Sequence, residues 1–290
     1  MQENSIPEHE PRRWRYALAS AIGSAHVRNG TPCQDASAGE ICSPAGAATF
    51  LGVVSDGAGS APLSQVGARL ACQVWRDEAE AQLARGAVAT LDRAFAEATL
   101  AHFQAVLARV ARRAARPVRD FACTLLFAAV DEQSATFAQI GDGAIVVGTP
   151  GAEASTPAYD WVFWPQQGEY VNQTVFASEA RAVSELCFEQ RATRIDELAL
   201  FSDGLQGMVL DQRTRRAHAR FFEPMFSAVR REAPGRSASL SHALLGFLGS
   251  RTVLSRTDDD KSLILASRRA PAPAAALPHT PAAGTESACA

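Results

Sequence analysis

Four apolar runs of the sequence each deliver a carboxylate at or near one end. Phe50 to Ser55 leads into Asp56-Gly57, Ala138 to Ile140 into Gly141-Asp142-Gly143, and Leu198 to Ser202 into Asp203-Gly204. The fourth is reversed, with Asp258, Asp259 and Asp260 opening the run Leu263 to Ala266. Any single Asp-Gly reads well as an ordinary hairpin turn. Ser-Asp-Gly after an apolar run at both Asp56 and Asp203 is harder to ascribe to independent turns. Two carboxylates about 4 Å apart repel by roughly 4 kcal/mol at an effective dielectric of 20. Only protons or cations relieve that, and a hard divalent ion with oxygen ligands is the natural guest. Two such ions about 3.5–4 Å apart can clamp phosphoryl oxygens and activate one water for in-line attack. That chemistry needs no nucleophilic side chain, and the sequence offers neither a Cys-based signature nor a recoverable Ser-His-Asp arrangement.

Carboxylates at strand ends meet only if the strands share a rim. Short apolar runs read as buried strands, and the sequence predicts strands over 14–22, 50–55, 121–130, 135–140, 144–148, 159–164, 195–201 and 262–267. Helical spacing of apolar residues predicts helices over 63–83, 90–115, 217–231 and 237–248, the first with Pro62 as a first-turn residue. Arg109, Arg112, Arg113 and Arg116 crowd the end of the second helix, where cations suit the dipole. They read first as a solvated helix end, and second as a docking point for phosphate. Two groups of strands separated by long helices predict an α+β fold, with two packed sheets and helices outside.

In order, the motif-bearing segments are Ser24 to Asp35, Val54 to Ala61, Phe121 to Leu125, Ile140 to Gly143, Gly168 to Thr174, Phe201 to Leu205 and Asp259 to Ile264. This series resembles the metal-dependent PPM/PP2C Ser/Thr protein phosphatases, most closely their bacterial branch, over about Trp14 to Ser267. The resemblance implies a four-layer α–β–β–α sandwich of two mainly antiparallel sheets. It implies two Mg²⁺ or Mn²⁺ ions and, as in the bacterial enzymes, a weaker third. Asp56 would bridge the two ions, with the Gly57 carbonyl completing one shell, while Asp203 and Asp259 would hold the second ion. Asp142 would join Asp203 at the third, and Asp35 would orient water from behind. Arg28 matches the arginine that grips substrate phosphate, although Gly30-Thr31-Pro32 lengthens its distance from Asp35. Asp258 and Asp260, flanking the candidate ligand, read better as solvated turn charges. The segment Glu169 to Asn172 and Thr174 matches one peculiar to the bacterial branch.

One position departs from the family. Many relatives carry histidine after the first Asp-Gly as the acid that protonates the leaving oxygen, and here Ala58 stands there. A general acid contributes about 10²–10⁴-fold. His26 is the candidate substitute, with a structural histidine an equal reading. Loss of the acid also supports an alternative, a PP2C-like binding or regulatory module with little turnover.

Composition narrows the remainder. The net charge of −3 leaves no basic footprint for nucleic acid. No apolar stretch is long enough to span a bilayer, and the polar, acidic first residues do not read as a secretory signal. The 6 cysteines form no C-x-x-C pair, and a reducing cytoplasm is the expected compartment. Residues 1–12 read as a flexible leader, 13–268 as the phosphatase domain, and 269–290 as a disordered Ala/Pro-rich tail. The expected partner is a protein phosphorylated on Ser or Thr, the target of a cognate kinase.

Overall fold

The computed structural model describes residues 13–43, 48–149, 158–165 and 174–270. The expected leader, most of the expected tail and the segment 169–172 lie outside the described residues.

Two sheets carry the molecule. The first runs in the order β2 (Ala36–Cys42), β3 (Thr49–Ser55), β4 (Leu125–Val130), β5 (Ala135–Ile140), β8 (Cys187–Arg191). The second runs β12 (Gly235–Arg236), β1 (Arg15–Ala21), β13 (Lys261–Ser267), β9 (Glu197–Phe201), β6 (Ala144–Thr149), β7 (Ala158–Trp161). Every pairing within them is antiparallel except that of β1 with β12. A short ribbon of β10 (Leu210–Asp211) and β11 (Arg216–Ala217) pairs with neither sheet but packs beside β7, where Trp161 Nε1 donates to the Arg215 carbonyl at 2.9 Å.

Helices α2 (Ser64–Leu83) and α3 (Arg93–Arg113) cover the first sheet. Helices α4 (Gln206–Val209), α5 (Ala219–Arg230), α6 (Ala238–Leu248) and α7 (Arg251–Leu254) lie on the side of the second. Three cores separate the four layers. Trp75, Phe103, Leu107 and Phe127 fill the first helix–sheet gap. Phe50, Val54, Leu126, Ile145, Leu198 and Ile264 fill the gap between sheets. Phe201, Phe222, Phe226, Leu244 and Leu248 fill the last. β3 shows why its sequence is continuously apolar: Phe50 and Val54 face the inter-sheet core, while Leu51 and Val53 face α2 and α3. This is the expected α–β–β–α sandwich.

Register gathers the site. In the first sheet Ala36 pairs with Ser55, Val54 with Leu126, and Leu125 with Ile140. Asp35, Asp56, Thr124 and Gly141 therefore leave their strands at one end. In the second sheet Phe201 pairs with both Leu263 and Ala144, which brings Asp203, the 258–260 turn and Gly143 to one end as well. The turn Gly141-Asp142-Gly143 links β5 to β6, so the two ends are the same end of the sandwich. Gly141 takes φ +99° there, a conformation that favours glycine.

Several elements differ from expectation, β2 and β8 among them, since no predicted strand covers either. The strand predicted from Phe121 begins only at Leu125, because Val118–Phe121 forms a 3₁₀ turn whose Phe121 carbonyl packs on Gly67; a Cβ there would sit 2.0 Å from that oxygen. The short helix α1 (Ser24–Asn29) has no side-chain cap and no apolar face to announce it. Among the described residues, no helix is long and apolar enough to cross a membrane.

Candidate active site

Asp56, Gly57, Asp142, Asp203 and Asp259 line one cavity of about 210 Å³, together with Ala58, Thr124, Thr174 and Phe176. Each carboxylate is placed by its strand end. The Asp56 amide donates to Thr124 Oγ1 at 3.0 Å, and the Thr124 amide donates back to the Asp56 carbonyl at 2.8 Å. Gly57 is obligatory: a Cβ would approach the Gln34 carbonyl to 2.7 Å and the Ser64 side chain to 2.8 Å. Asp203 opens a 3₁₀ turn after β9, and Gly204 lets that turn lie directly on the Asp260 carbonyl. Asp142 Oδ2 accepts from Thr174 Oγ1 at 2.7 Å, while the Gln206 amide donates to the Asp142 carbonyl.

The three consecutive aspartates have three different surroundings. Asp259 is exposed and faces the cavity, its Oδ1 accepting from the Asp260 amide at 2.8 Å. Asp258 lies at the surface and pairs with Arg28 at 3.1 Å. Asp260 is only 2% exposed, so the expectation of a solvated turn charge does not hold for it. Its carboxylate accepts from the Gly23 amide at 2.6 Å and the Gln34 amide at 2.5 Å, and it lies 2.8 Å from His26 Nδ1. It is a clamp joining α1, the approach to Asp35 and the turn that carries Asp259.

That clamp relocates two sequence candidates. His26 is not among the described residues that line the acidic cavity; its Nδ1 lies against the Asp260 carboxylate. Arg28 is also outside the lining, 64% exposed and paired with Asp258. Asp35 sits behind Asp56, with Oδ2 accepting from Ser202 Oγ at 2.7 Å.

Sequence reasoning overlooked Thr124, Ser202 and Lys261. The repeated Ser-Asp-Gly was the available signal: Ser55 donates to the Thr124 carbonyl at 2.6 Å, and Ser202 to Asp35. Each serine fixes the strand end that presents the following aspartate. Lys261, the only lysine, is fully buried and donates to the Asp259 carbonyl at 2.6 Å.

The electrostatics call for a cation. Burial pushes Asp35 up to about 7 and Asp203 up to about 6, the latter also raised by the charges of Asp142 and Asp259. Asp56 is raised well above the usual carboxylate range by burial and by the neighbouring Asp35 and Asp203. Asp35 Oδ1 and Asp203 Oδ1 are buried and accept no hydrogen bond among the described residues. Among the described residues, no three or more acidic, His or Cys side chains stand close enough together, as they are, to hold a metal ion. The Asp56, Asp203 and Asp259 carboxylates and the Gly57 carbonyl on the cavity wall are the oxygen donors that could hold a hard divalent ion, which keeps several waters and needs few protein ligands.

Residues 22–248 match the family model described as Protein phosphatase 2C. The chain belongs to the protein phosphatase 2C family. It is 34% identical over 257 residues to Serine/threonine-protein phosphatase 3 of Escherichia coli (strain K12), covering 87% of this chain and 98% of that one. Solved structures of similar fold include the S. agalactiae serine/threonine phosphatase, with TM-score 0.58 at 13% identity, covering 88% of this chain and 99% of that chain. PppA, described as a key regulatory component of T6SS in Pseudomonas aeruginosa, matches with TM-score 0.57 at 17% identity, over 88% of this chain and 97% of that chain. Stp1 from Staphylococcus aureus matches with TM-score 0.55 at 16% identity, over 92% and 99%. At such identities these structures speak for the fold, and the family match for a phosphatase of the 2C class.

Proposed function

We propose that this phosphatase hydrolyses phosphoserine and phosphothreonine in proteins with the help of two Mg²⁺ or Mn²⁺ ions, its domain spanning residues 13–268. The observation that carries this reading is the convergence of Asp56, Asp142, Asp203 and Asp259 on one cavity, with no cationic side chain lining it among the described residues. Asp56, the Gly57 carbonyl, Asp203 and Asp259 would hold the two ions. Asp142, oriented by Thr174 and Gln206, is the carboxylate for a weaker third ion. When bound, the ions supply positive charge for the phosphoryl oxygens and acidify the attacking water. Asp35, held by Ser202 behind Asp56, would orient that water.

Ala58 offers no acid to the leaving oxygen, and His26 is engaged with Asp260. The leaving oxygen then takes its proton from solvent water, so substrates with poor leaving groups are slowed most. Arg28 sits on the neighbouring surface and reaches a bound phosphate only by releasing Asp258. The substrates are those of a cognate Ser/Thr kinase, and the working compartment is the cytoplasm. Ala58 is the one feature that points to the binding-module alternative, and the match to a phosphatase family and to a Ser/Thr phosphatase relative weighs against it.

The decisive experiment is hydrolysis of p-nitrophenyl phosphate and of a phosphothreonine peptide with Mn²⁺, with Mg²⁺ and with EDTA, using Asp56→Ala as the matched control. Metal-dependent turnover abolished in the variant supports the reading. Absence of turnover with either metal, in folded protein, overturns it.

A further inference from the structure

A second cavity, about 560 Å³ in volume, opens beside the acidic one and shares Ala58, Ser60 and Phe176 with it. Ala58 places only a methyl group between the two. The far wall is built from the 3₁₀ turn Val118–Phe121 and from Ser178 to Ala180. A chain whose phosphorylated side chain enters the acidic cavity has its neighbouring residues within reach of this one, because an extended chain advances only about 3.3–3.6 Å per residue.

The charges of this second cavity are uneven. Both carboxylates on its wall are already engaged: Asp120 pairs with Arg116 at 2.7 Å, and Glu179 with Arg181 at 2.6 Å. Arg119, exposed on the same wall, forms no ion pair among the described residues. It closes a run in which Arg109, Arg112, Arg113, Arg116 and Arg119 are all exposed, and between 109 and 120 the one carboxylate is Asp120. The dipole at the end of α3 calls for roughly half an elementary charge of compensation. Five arginines exceed that, and of them Arg119 lines the cavity.

We infer that this cavity is the subsite for residues flanking the phosphorylated side chain, and that Arg119 makes it select a carboxylate there. The preferred substrates are phosphoprotein segments with Asp or Glu beside the phosphorylated Ser or Thr. The inference rests on the phosphatase reading of the acidic cavity.

The test compares phosphothreonine peptides of one length that carry Glu, Ala or Lys close to the phosphothreonine, on its N-terminal or its C-terminal side, with Mn²⁺ present. For the wild type, kcat/KM for one of the Glu peptides exceeds that of its Lys counterpart by about fivefold, the scale of one exposed charge pair. The difference lies mainly in KM and shrinks in about 0.5 M salt. Arg119→Glu inverts the order. Because each comparison is a ratio within one variant, altered turnover at the metal site cancels. Equal kcat/KM for all peptides in the wild type, or an order unchanged in Arg119→Glu, overturns the inference while leaving the phosphatase reading standing. No metal-dependent turnover of any peptide overturns both.

Discussion

Substituting Asp259 and Asp260 separately should divide metal chemistry from stability between two adjacent residues. Asp260 is buried and accepts from two backbone amides, those of Gly23 and Gln34. Hydrogen bonds to a charged group are each worth about 1.5–3 kcal/mol, and losing the acceptor strands two buried donors. Asp260→Ala should therefore cost about 4 kcal/mol, or roughly 10 °C in Tm for a domain of this size. Asp260→Asn should fall between, since its carbonyl can serve one amide while its NH₂ confronts the other. Asp259 is exposed and accepts one local amide, so Asp259→Ala should change stability by no more than about 1 kcal/mol. Its metal-dependent turnover should nevertheless drop by at least about 100-fold, more than the usual effect of losing a residue that merely supports a ligand. Thermal unfolding in EDTA, paired with p-nitrophenyl phosphate hydrolysis over a Mn²⁺ titration, reads both effects. Equal losses of Tm in the two alanine variants would sink the assignment of roles, as would full turnover by Asp259→Ala.

Three further outcomes are expected. Asp35 is raised to about 7 and Asp203 to about 6, and Asp56 is raised as well, so the metal-free native state holds more protons than the unfolded chain between about pH 4 and 7. The stability these groups contribute is present below about pH 4 and is lost as pH rises through the folded values; Tm in EDTA should fall across that window, and Mn²⁺ should restore more of it at pH 7 than at pH 5. Gly204→Ala should disrupt the site, because the added Cβ would lie 2.1 Å from the Asp260 carbonyl; a variant with wild-type Tm and Mn²⁺ affinity would contradict this. His26→Ala should leave the shape of the pH–rate profile unchanged while lowering Tm, and loss of its acidic-form limb would restore the histidine as the proton donor.

The long elements were legible because their patterns are strong: α2 and β5 appear where the spacing of apolar residues puts them. β8 was not, since Cys187 to Arg191 is an edge strand with mixed polarity and no clean alternation. The acidic residues at strand ends were legible as a set, but their individual roles depend on tertiary contacts. Asp258, Asp259 and Asp260 have the same side chain and adjacent positions, and only the backbone amides of Gly23 and Gln34 distinguish the third. The same limit applied to His26, whose neighbour Asp260 lies far away in sequence.

The acidic cavity draws Asp56 from the first sheet, Asp203 and Asp259 from the second, and Asp142 from the turn that joins them. Without a counter-ion, mutual repulsion pries at the seam between the two sheets; with one, the same carboxylates rivet it. Unfolding should then change character as well as midpoint. In EDTA the two sheets can lose amide protection from hydrogen exchange at different free energies, whereas saturating Mn²⁺ should merge them into a single cooperative unit. The catalytic centre of this phosphatase would thereby double as the fastener that makes its two halves fold as one.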